Sequence, residues 1–457
     1  MNKNVLGIDL GTSSVKVLQR FSDGSTQRAR KSYEKISCEG WWDAVCRAIS
    51  ELDLTQTVAI GLSSQVGTYI INDSDVVSWN SGIGTDEVRQ IKEKYPAELF
   101  LREISMDHPN IASYPIPRLR YITGKYEKVY SVCQPKDYLC ERLTGNRVTD
   151  PYSWRGLANL ETGAYSGFFL KELGIAPEVL PKMVGCHMYA GTTRAMGNLP
   201  AGIPVYVGLN DFYASLAGMG IGKPGHMFDI SGTSEHLGII EEKVVCGTPL
   251  VSGPYLKENV RYGVTASSGA SNQLGLRLWE SGTFNLEQVS KEKPPIFLPY
   301  LLGERAPIWN PDARGMFFGI EESCTQKDLA YAVFEGVVFS LYHIYETMGK
   351  PRAESMVVTG GAAVNDSLNR LKAEMFGIPV KIPEEMDTSA LGAALLAAVG
   401  AEWYADMEAA TVDCVKIKKT IVPTGKFTAW LQKRYAIYKG LYPAVKNQFQ
   451  KLKELSL

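Results

Sequence analysis

The chain has 457 residues, too long for one ordinary core, because single hydrophobic cores stop growing at roughly 250–300 residues. Two domains are therefore expected. Apolar residues make up 45%, charged residues 21%, and the formal net charge is -1, which offers no single-sign surplus to attract nucleic acid or anionic lipid. Small molecules, or a second copy of the chain in a homodimer, are the expected partners. The eight cysteines are scattered, with no close pair and no nearby histidine at metal-ligand spacing, so neither zinc nor a disulfide framework is expected. A strand begins within a few residues of Met1 without a basic and apolar leader, and the most apolar stretch, "ALGAALLAAVGA" at 390–401, falls short of the roughly 18 residues of a membrane span. A cytoplasmic protein is expected.

In chain order, "NVLGIDL", "SVKVLQRF" and "TQRARKSY" read as three strands of an antiparallel meander with turns at Gly11-Thr12 and Ser22-Asp23-Gly24. "GWWDAVCRAISEL" repeats Trp42, Val45, Cys46 and Ile49 at helical spacing, and "TVAIGLSS" reads as a buried strand. A mixed α/β sheet follows from this succession. Residues 86–195 are mostly helical and loop-like; then "IPVYVGL" is a strand running into the helix "NDFYASLAGMGIG". At 226 the opening theme returns as "HMFDISGTSEHLGII", with its Gly-Thr one residue further from Asp229 than Gly11-Thr12 is from Asp9. Two such hairpins suggest internal duplication with a boundary near 220 and a cleft between similar halves, although two unrelated strand-turn-strand units would look the same. The rest of the chain adds "SSGASNQ" entering a helix, the loop "LPYLLGERAPIWNPDARGMFFGI", a helix at 326–347, and "SMVVTGGAAVNDSLNRLKAEMFGIPV" as strand, Gly-Gly turn, helix from near Asn365, and strand. The last element is a lysine-rich amphipathic helix at 427–454, its charge read as a solvated face.

Each acid or glycine cluster stands where a strand stops and backbone N–H groups are free. The turns "GTSS" at 11–14 and "SGTS" at 231–234 suit an anion such as phosphate, with Lys16 on the return strand adding a positive charge. Asp9 ends an apolar run, where an ionised carboxylate is costly unless bound to a metal such as magnesium or hydrogen-bonded to the turn amides. Asp211 is read either as a helix N-cap or as a general base at the end of a strand. The paired glycines of "TGGAAVND" fit flat contact with a base or ribose, or tight strand-to-helix packing. Neither G-x-G-x-x-G, a P-loop nor a G-x-S-x-G elbow occurs, and the five histidines do not cluster.

Taken together, these pieces resemble the FGGY family of carbohydrate kinases over nearly the whole chain. The most specific match is Gly315-x-Phe317-x-Gly319-Ile320, seven residues, Asp328-Leu329, two residues, then Ala332-Val333-Phe334-Glu335, beside "PYLLGERAP". "GIDLGTSSVK" is similar to the family's first phosphate segment, which is shared with actin, Hsp70 and hexokinase. The resemblance implies an α/β fold of two ribonuclease-H-like domains around a central cleft. Residues 1–220 would bind the sugar and 221–457 ATP, the last helix packing back on the first domain. It implies ATP and Mg2+, with Asp211 as the catalytic base and Asp9 near the metal. Thr12, Ser13, Lys16, Gly232 and Thr233 would lie along the phosphates, and Gly269, Gln273, Gly361 and Asn365 at the nucleoside. Gln65, Trp79 and Asn210 fall on the sugar side.

The sugar side departs from the pattern. Where many xylulokinase-like members carry Gln-Met-His-Gly this chain has Gln65-Val66-Gly67, their Trp-x-Asp-x-Arg is Trp79-Asn80-Ser81-Gly82-Ile83, and their Ser-Asp-x-Ser-Asp-Ala is replaced by "TDPYSWRGL". The layout is most similar to xylulokinase, with sedoheptulokinase, ribulokinase, gluconokinase and glycerol kinase as alternatives. A nucleotide-switched machine of the actin type and a catalytically silent sugar or nucleotide sensor are the readings from other classes.

Overall fold

The two hairpins lie at the centres of two separate sheets in the computed structural model, which describes residues 2–232 and 234–455. The first sheet contains β1 (Asn4–Leu10), β2 (Ser14–Phe21), β3 (Thr26–Ser32), β4 (Thr57–Ser64), β5 (Tyr189–Thr192) and β6 (Pro204–Asn210) in the order β3-β2-β1-β4-β6-β5. Every residue of β1 is buried, which explains why it reads as a continuous apolar run rather than an alternating one. Helix α1 (Cys38–Ile49) begins two residues before the expected "GWW" start, because the Ser37 hydroxyl accepts the Gly40 N–H at 3.1 Å and caps it there. Helix α2 (Asp211–Gly218) follows β6 directly.

The second sheet repeats the plan with β7 (Met227–Ser231), β8 (Glu235–Glu241), β9 (Glu258–Val264), β10 (Met356–Gly360), β11 (Val380–Pro383) and β12 (Ile417–Ile421), ordered β9-β8-β7-β10-β11-β12, with Val251–Tyr255 as an added edge beside β9. In each sheet the hairpin and its third strand are antiparallel and the next two strands are parallel to the first. The antiparallel strand at the other edge precedes its neighbour in the first sheet and follows it in the second. Five strands thus match in order and sense, as a duplicated unit requires. Helices α3 (Ser268–Leu278), α4 (Gln326–Thr347) and α5 (Asp366–Phe376) belong to the second unit.

The partition is less simple than a single cut near 220. One unit holds the residues up to Gly220 with Gly253–Tyr255 and Asp387–Val415; the other holds Ile221–Ser252, Leu256–Met386 and the residues from Lys416 onward. The segment that returns to the first unit carries α6 (Thr388–Gly400), the alanine-rich stretch, and not the last helix. A Cβ on Gly7 would stand 2.0 Å from the Ala390 carbonyl oxygen, and one on Gly61 2.0 Å from that of Ala393, so hydrogen side chains on β1 and β4 let α6 lie flush against the sheet. Helix α7 (Thr428–Glu454) instead buries Leu431, Tyr435, Tyr438 and Leu441 in the second unit's core, where Arg434 clasps Glu335 of α4 with two bonds of 2.6 Å. Among the described residues, no helix is long and apolar enough to cross a membrane.

Candidate functional site

In the first unit, the turn between β1 and β2 is closed by the Gly11 N–H on the Ser14 carbonyl at 3.1 Å, leaving Thr12 and Ser13 exposed. Asp9, 2% exposed, lies opposite Lys16 across the hairpin and beside Ser63 of β4. Its carboxylate accepts the Ser63 hydroxyl at 2.9 Å and the Ser389 hydroxyl at 2.6 Å, so hydroxyls rather than the turn amides meet the buried carboxylate. The Lys16 ammonium is 3.1 Å from Asp387. Both members of that pair are about one-third exposed or less. A pair so placed is worth little in water, at most about 1 kcal/mol, and an arriving phosphate can replace one partner.

Asp211 is not the cap of its helix. Asn210 takes that position, its side-chain oxygen accepting the Tyr213 N–H at 3.1 Å while its amide donates to the Tyr152 carbonyl at 2.9 Å. Asp211, at the first helical position, accepts the Phe212 N–H at 2.8 Å. Burial, reinforced by the charge of Asp9, pushes its carboxyl up to about 7, against the opposing pull of the Phe212 amide and Lys16. Burial is the larger cause and the charge of Asp9 the second, so the two acids expected to share a site are close enough to feel each other.

Two of the three expected sugar-side residues, Gln65 and Trp79, meet the same turn, whereas Asn210 does not bond to it. Trp79 donates its indole N–H to the Thr12 hydroxyl at 3.2 Å, and the Gln65 amide is 3.4 Å from the Gly11 carbonyl. Gln65 Oε1 faces the Thr68 hydroxyl at 3.4 Å, and that hydroxyl accepts the Trp79 backbone N–H at 3.1 Å.

The second unit assembles the other expected residues. Gly232 closes its turn by donating to the Ser234 carbonyl at 3.0 Å; Thr233 lies outside the described residues. The Ser231 hydroxyl donates to the Thr359 carbonyl at 2.8 Å and accepts the Ala362 N–H at 2.9 Å, which joins this turn to the Gly-Gly turn. The two glycines there have different reasons. Gly360 has φ of 87° and a Cβ would stand 1.9 Å from the Ser231 carbonyl oxygen, so tight packing demands it; a Cβ on Gly361 would meet nothing within 4 Å. Asn365 caps α5 by accepting the Leu368 N–H at 3.1 Å and donates to the Gly282 carbonyl at 3.0 Å, which occupies its amide structurally. Gly269 lies in the first turn of α3, half-buried, and Gln273 on that helix is exposed.

Sequence reasoning missed Ser63, Ser389 and Asp387, which hold Asp9 and Lys16. Ser389 had no local signal, being 380 residues from Asp9.

Two family models match the chain: that of the N-terminal domain of the FGGY family of carbohydrate kinases over residues 4–218, and that of the C-terminal domain over residues 230–401. The chain belongs to the FGGY family of carbohydrate kinases. Among its relatives, the xylulose kinase of Staphylococcus xylosus is 26% identical over 96% of this chain and 99% of its own length. The glycerol kinase of Myxococcus xanthus is 28% identical over 93% and 96%. The crystal structure of gluconate kinase from Lactobacillus acidophilus superposes with a TM-score of 0.87 at 24% identity, covering 99% of this chain and 100% of that one, and so shares the fold. The chain is therefore a carbohydrate kinase, and relatives at comparable distance carry the names of three different substrates.

Proposed function

We propose that this FGGY kinase transfers the γ-phosphoryl group of magnesium ATP to a hydroxyl of a ketose or polyol, with D-xylulose, giving xylulose 5-phosphate, as the first candidate. The observation that carries the reading is the neighbourhood of Asp211. Its carboxyl stands free of the capping role, near Asp9, and is pushed up to about 7, which matches a base to neutral pH. Asp211 takes the proton of the substrate hydroxyl as its oxygen bonds to the γ-phosphorus, and the bond to the β-phosphate oxygen breaks with the electron pair leaving on ADP. Thr12 and Ser13, exposed on the first turn, and Gly232 and Thr233 are the proposed phosphate ligands, with Lys16 released from Asp387 to offset the phosphates' charge. Gly361 lies against the nucleoside, Gly269 and Gln273 along it, while Asn365 acts by shaping the turn.

Magnesium fits this arrangement in one respect. It commonly binds through one or two carboxylates plus substrate phosphates, and no group of three or more acid, histidine or cysteine ligands occurs among the described residues to form an all-protein cage. Asp9 would hold it. When bound, the ion neutralises charge on the transferring phosphoryl group.

The sugar is assigned from the xylulose kinase relatives, and Gln65, Trp79 and Asn210 would contact it. A site that hydrogen-bonds hydroxyls discriminates strongly, so the departures at 65–67, 79–83 and 149–157 bear directly on this choice. The test is a coupled ADP-release screen over pentuloses, heptuloses, polyols and aldonates with magnesium ATP. Turnover highest on D-xylulose supports the assignment; higher turnover on gluconate, glycerol, ribulose or sedoheptulose replaces it. Use of ATP, and free thiols at Cys133, Cys140 and Cys186, suit a cytoplasmic setting.

A further inference from the structure

The second unit buries an ionic triad that the proposed reaction does not use. Lys372 of α5, Asp229 of β7 and Glu235 of β8 are each 0% exposed. The Lys372 ammonium donates to Asp229 Oδ2 and, at 2.7 Å, to Glu235 Oε1. These two acids form the feet of the hairpin whose turn contains Gly232: Asp229 lies two residues before the end of β7 at Ser231, and Glu235 is the first residue of the return strand. The helix that supplies the lysine opens at Asn365, directly after the Gly361–Val364 turn. Lys372 thus ties the phosphate-side turn to the helix that begins at the nucleoside-side turn. The Ser231 hydroxyl, bonded to Thr359 and Ala362, makes the same connection at the top.

Burial and the neighbouring Glu235 hold the Asp229 carboxyl well above the usual carboxylate range. Burial opposes ionisation of Glu235 as well, but Lys372 outweighs it and keeps Glu235 charged. Replacing such a buried pair by neutral groups is often tolerated for stability, so geometry is the better reason to keep it.

We propose that Lys372 is a positioning residue for the nucleotide: by engaging both feet of the Gly232 hairpin it sets the distance between that turn and the Gly361 turn, and so the affinity for ATP. The proposal rests on the reading that these two turns hold ATP.

The test uses the full chain. Lys372→Met leaves Glu235 charged and unpaired, so the decisive variant is Lys372→Met with Glu235→Gln, which removes the lysine together with the charge that it holds. Thermal melting, the KM values for ATP and sugar, kcat, and direct titration with magnesium ADP are measured on both variants. A displacement of about 1 Å at a site can cost on the order of 100-fold. The double variant is accordingly expected to melt near the parent while KM for ATP and the dissociation constant for magnesium ADP rise by about tenfold or more, with KM for the sugar within about twofold. A folded double variant with the parent's ATP and ADP affinities overturns the proposal, as does an equal loss in both substrates' KM. Gly361→Leu, which places a side chain where the fold leaves space, separates the two layers of the idea. If it leaves ATP affinity unchanged, the assignment of the turns fails and the clamp's role with it; if it weakens ATP while the double variant does not, the clamp alone fails.

Discussion

Asp9 and Asp229 occupy the central strands of two sheets built in the same order, and their surroundings differ in charge and in direction. Asp9 receives two hydroxyls, whereas Asp229 receives a buried ammonium. The direction follows from counting. Asp9 is two residues before Gly11 and Asp229 three before Gly232. Side chains alternate along a strand, so with the turns aligned the second acid falls on the opposite face, at the place of Ile8 in the first hairpin. Similar letters therefore serve different ends. Hydroxyls leave a carboxylate part of its lone-pair capacity for a metal, while Asp229 meets a cation that the protein itself supplies. On the proposed reading the first hairpin's acid serves the reaction and the second's holds the turn.

The largest test of this contrast is at its reactive end. Asp211→Asn is expected to lower sugar phosphorylation by roughly 10²- to 10⁴-fold or more while ATP still binds, measured by coupled ADP release and nucleotide titration. Full activity in that variant would remove Asp211 as the base.

A second test sets the hairpins against each other. Lys372→Met is expected to destabilise the fold by about 3–5 kcal/mol, because it strands a buried charge. Asp9→Asn is expected to cost about 1 kcal/mol or less in stability, since the amide can still meet both hydroxyls, but about 100-fold in kcat. Denaturant unfolding and turnover measured on both variants decide it; a stability loss at Asp9 as large as that at Lys372 would erase the distinction.

The pH dependence sharpens the link between Asp9 and Asp211. A base pushed up to about 7 must be ionised to work, so kcat/KM should climb with pH and level off above about 7. Because the charge of Asp9 helps to raise that value, Asp9→Asn should move the residual activity's limb to lower pH. The stability effect has the opposite sign. An acid whose pKa is raised by folding favours the fold when neutral, and that contribution is lost as pH rises from the ordinary carboxylate range through about 7. Asp211→Asn should therefore melt higher than the parent at pH 8, by a margin that shrinks toward pH 5.

The smallest effect is expected at Ser389. Ser389→Ala removes one of the two hydroxyl donors to a charged carboxylate, a loss of about 1.5–3 kcal/mol in the bond's own terms. Ser63 and water soften it, so a several-fold fall in kcat with unchanged sugar KM is the result to seek in steady-state kinetics.

Much of this was legible in the sequence where structure is local. The meander strands, the 326–347 helix with its Thr325–Asp328 capping box, and the final helix announce themselves by period and cap. So did the acids at strand ends. What could not be read was company. Ser389 meets Asp9 across nearly the length of the chain, and Lys372 sits in an ordinary helical pattern that gives no hint of two buried acids beneath it. The one-residue offset at Asp229 was visible as a count, but its meaning depends on which sheet face the helix α5 covers. The paired glycines likewise needed coordinates to divide packing at Gly360 from open space at Gly361.

The flush seating of α6 on Gly7 and Gly61 also orders events during synthesis. Translation proceeds at about 5–20 residues per second, and amino-terminal units usually begin folding first. Here β1 and β4 are made early, yet the helix that covers their glycines and delivers Ser389 to Asp9 spans Thr388–Gly400. The first unit must wait, with a bare strip of sheet, until the chain has left the ribosome through Gly400. A nascent chain cut short before that helix would carry Asp9 with one of its two hydroxyls missing, so the surroundings of this acid are finished only when a residue 380 positions later has been made.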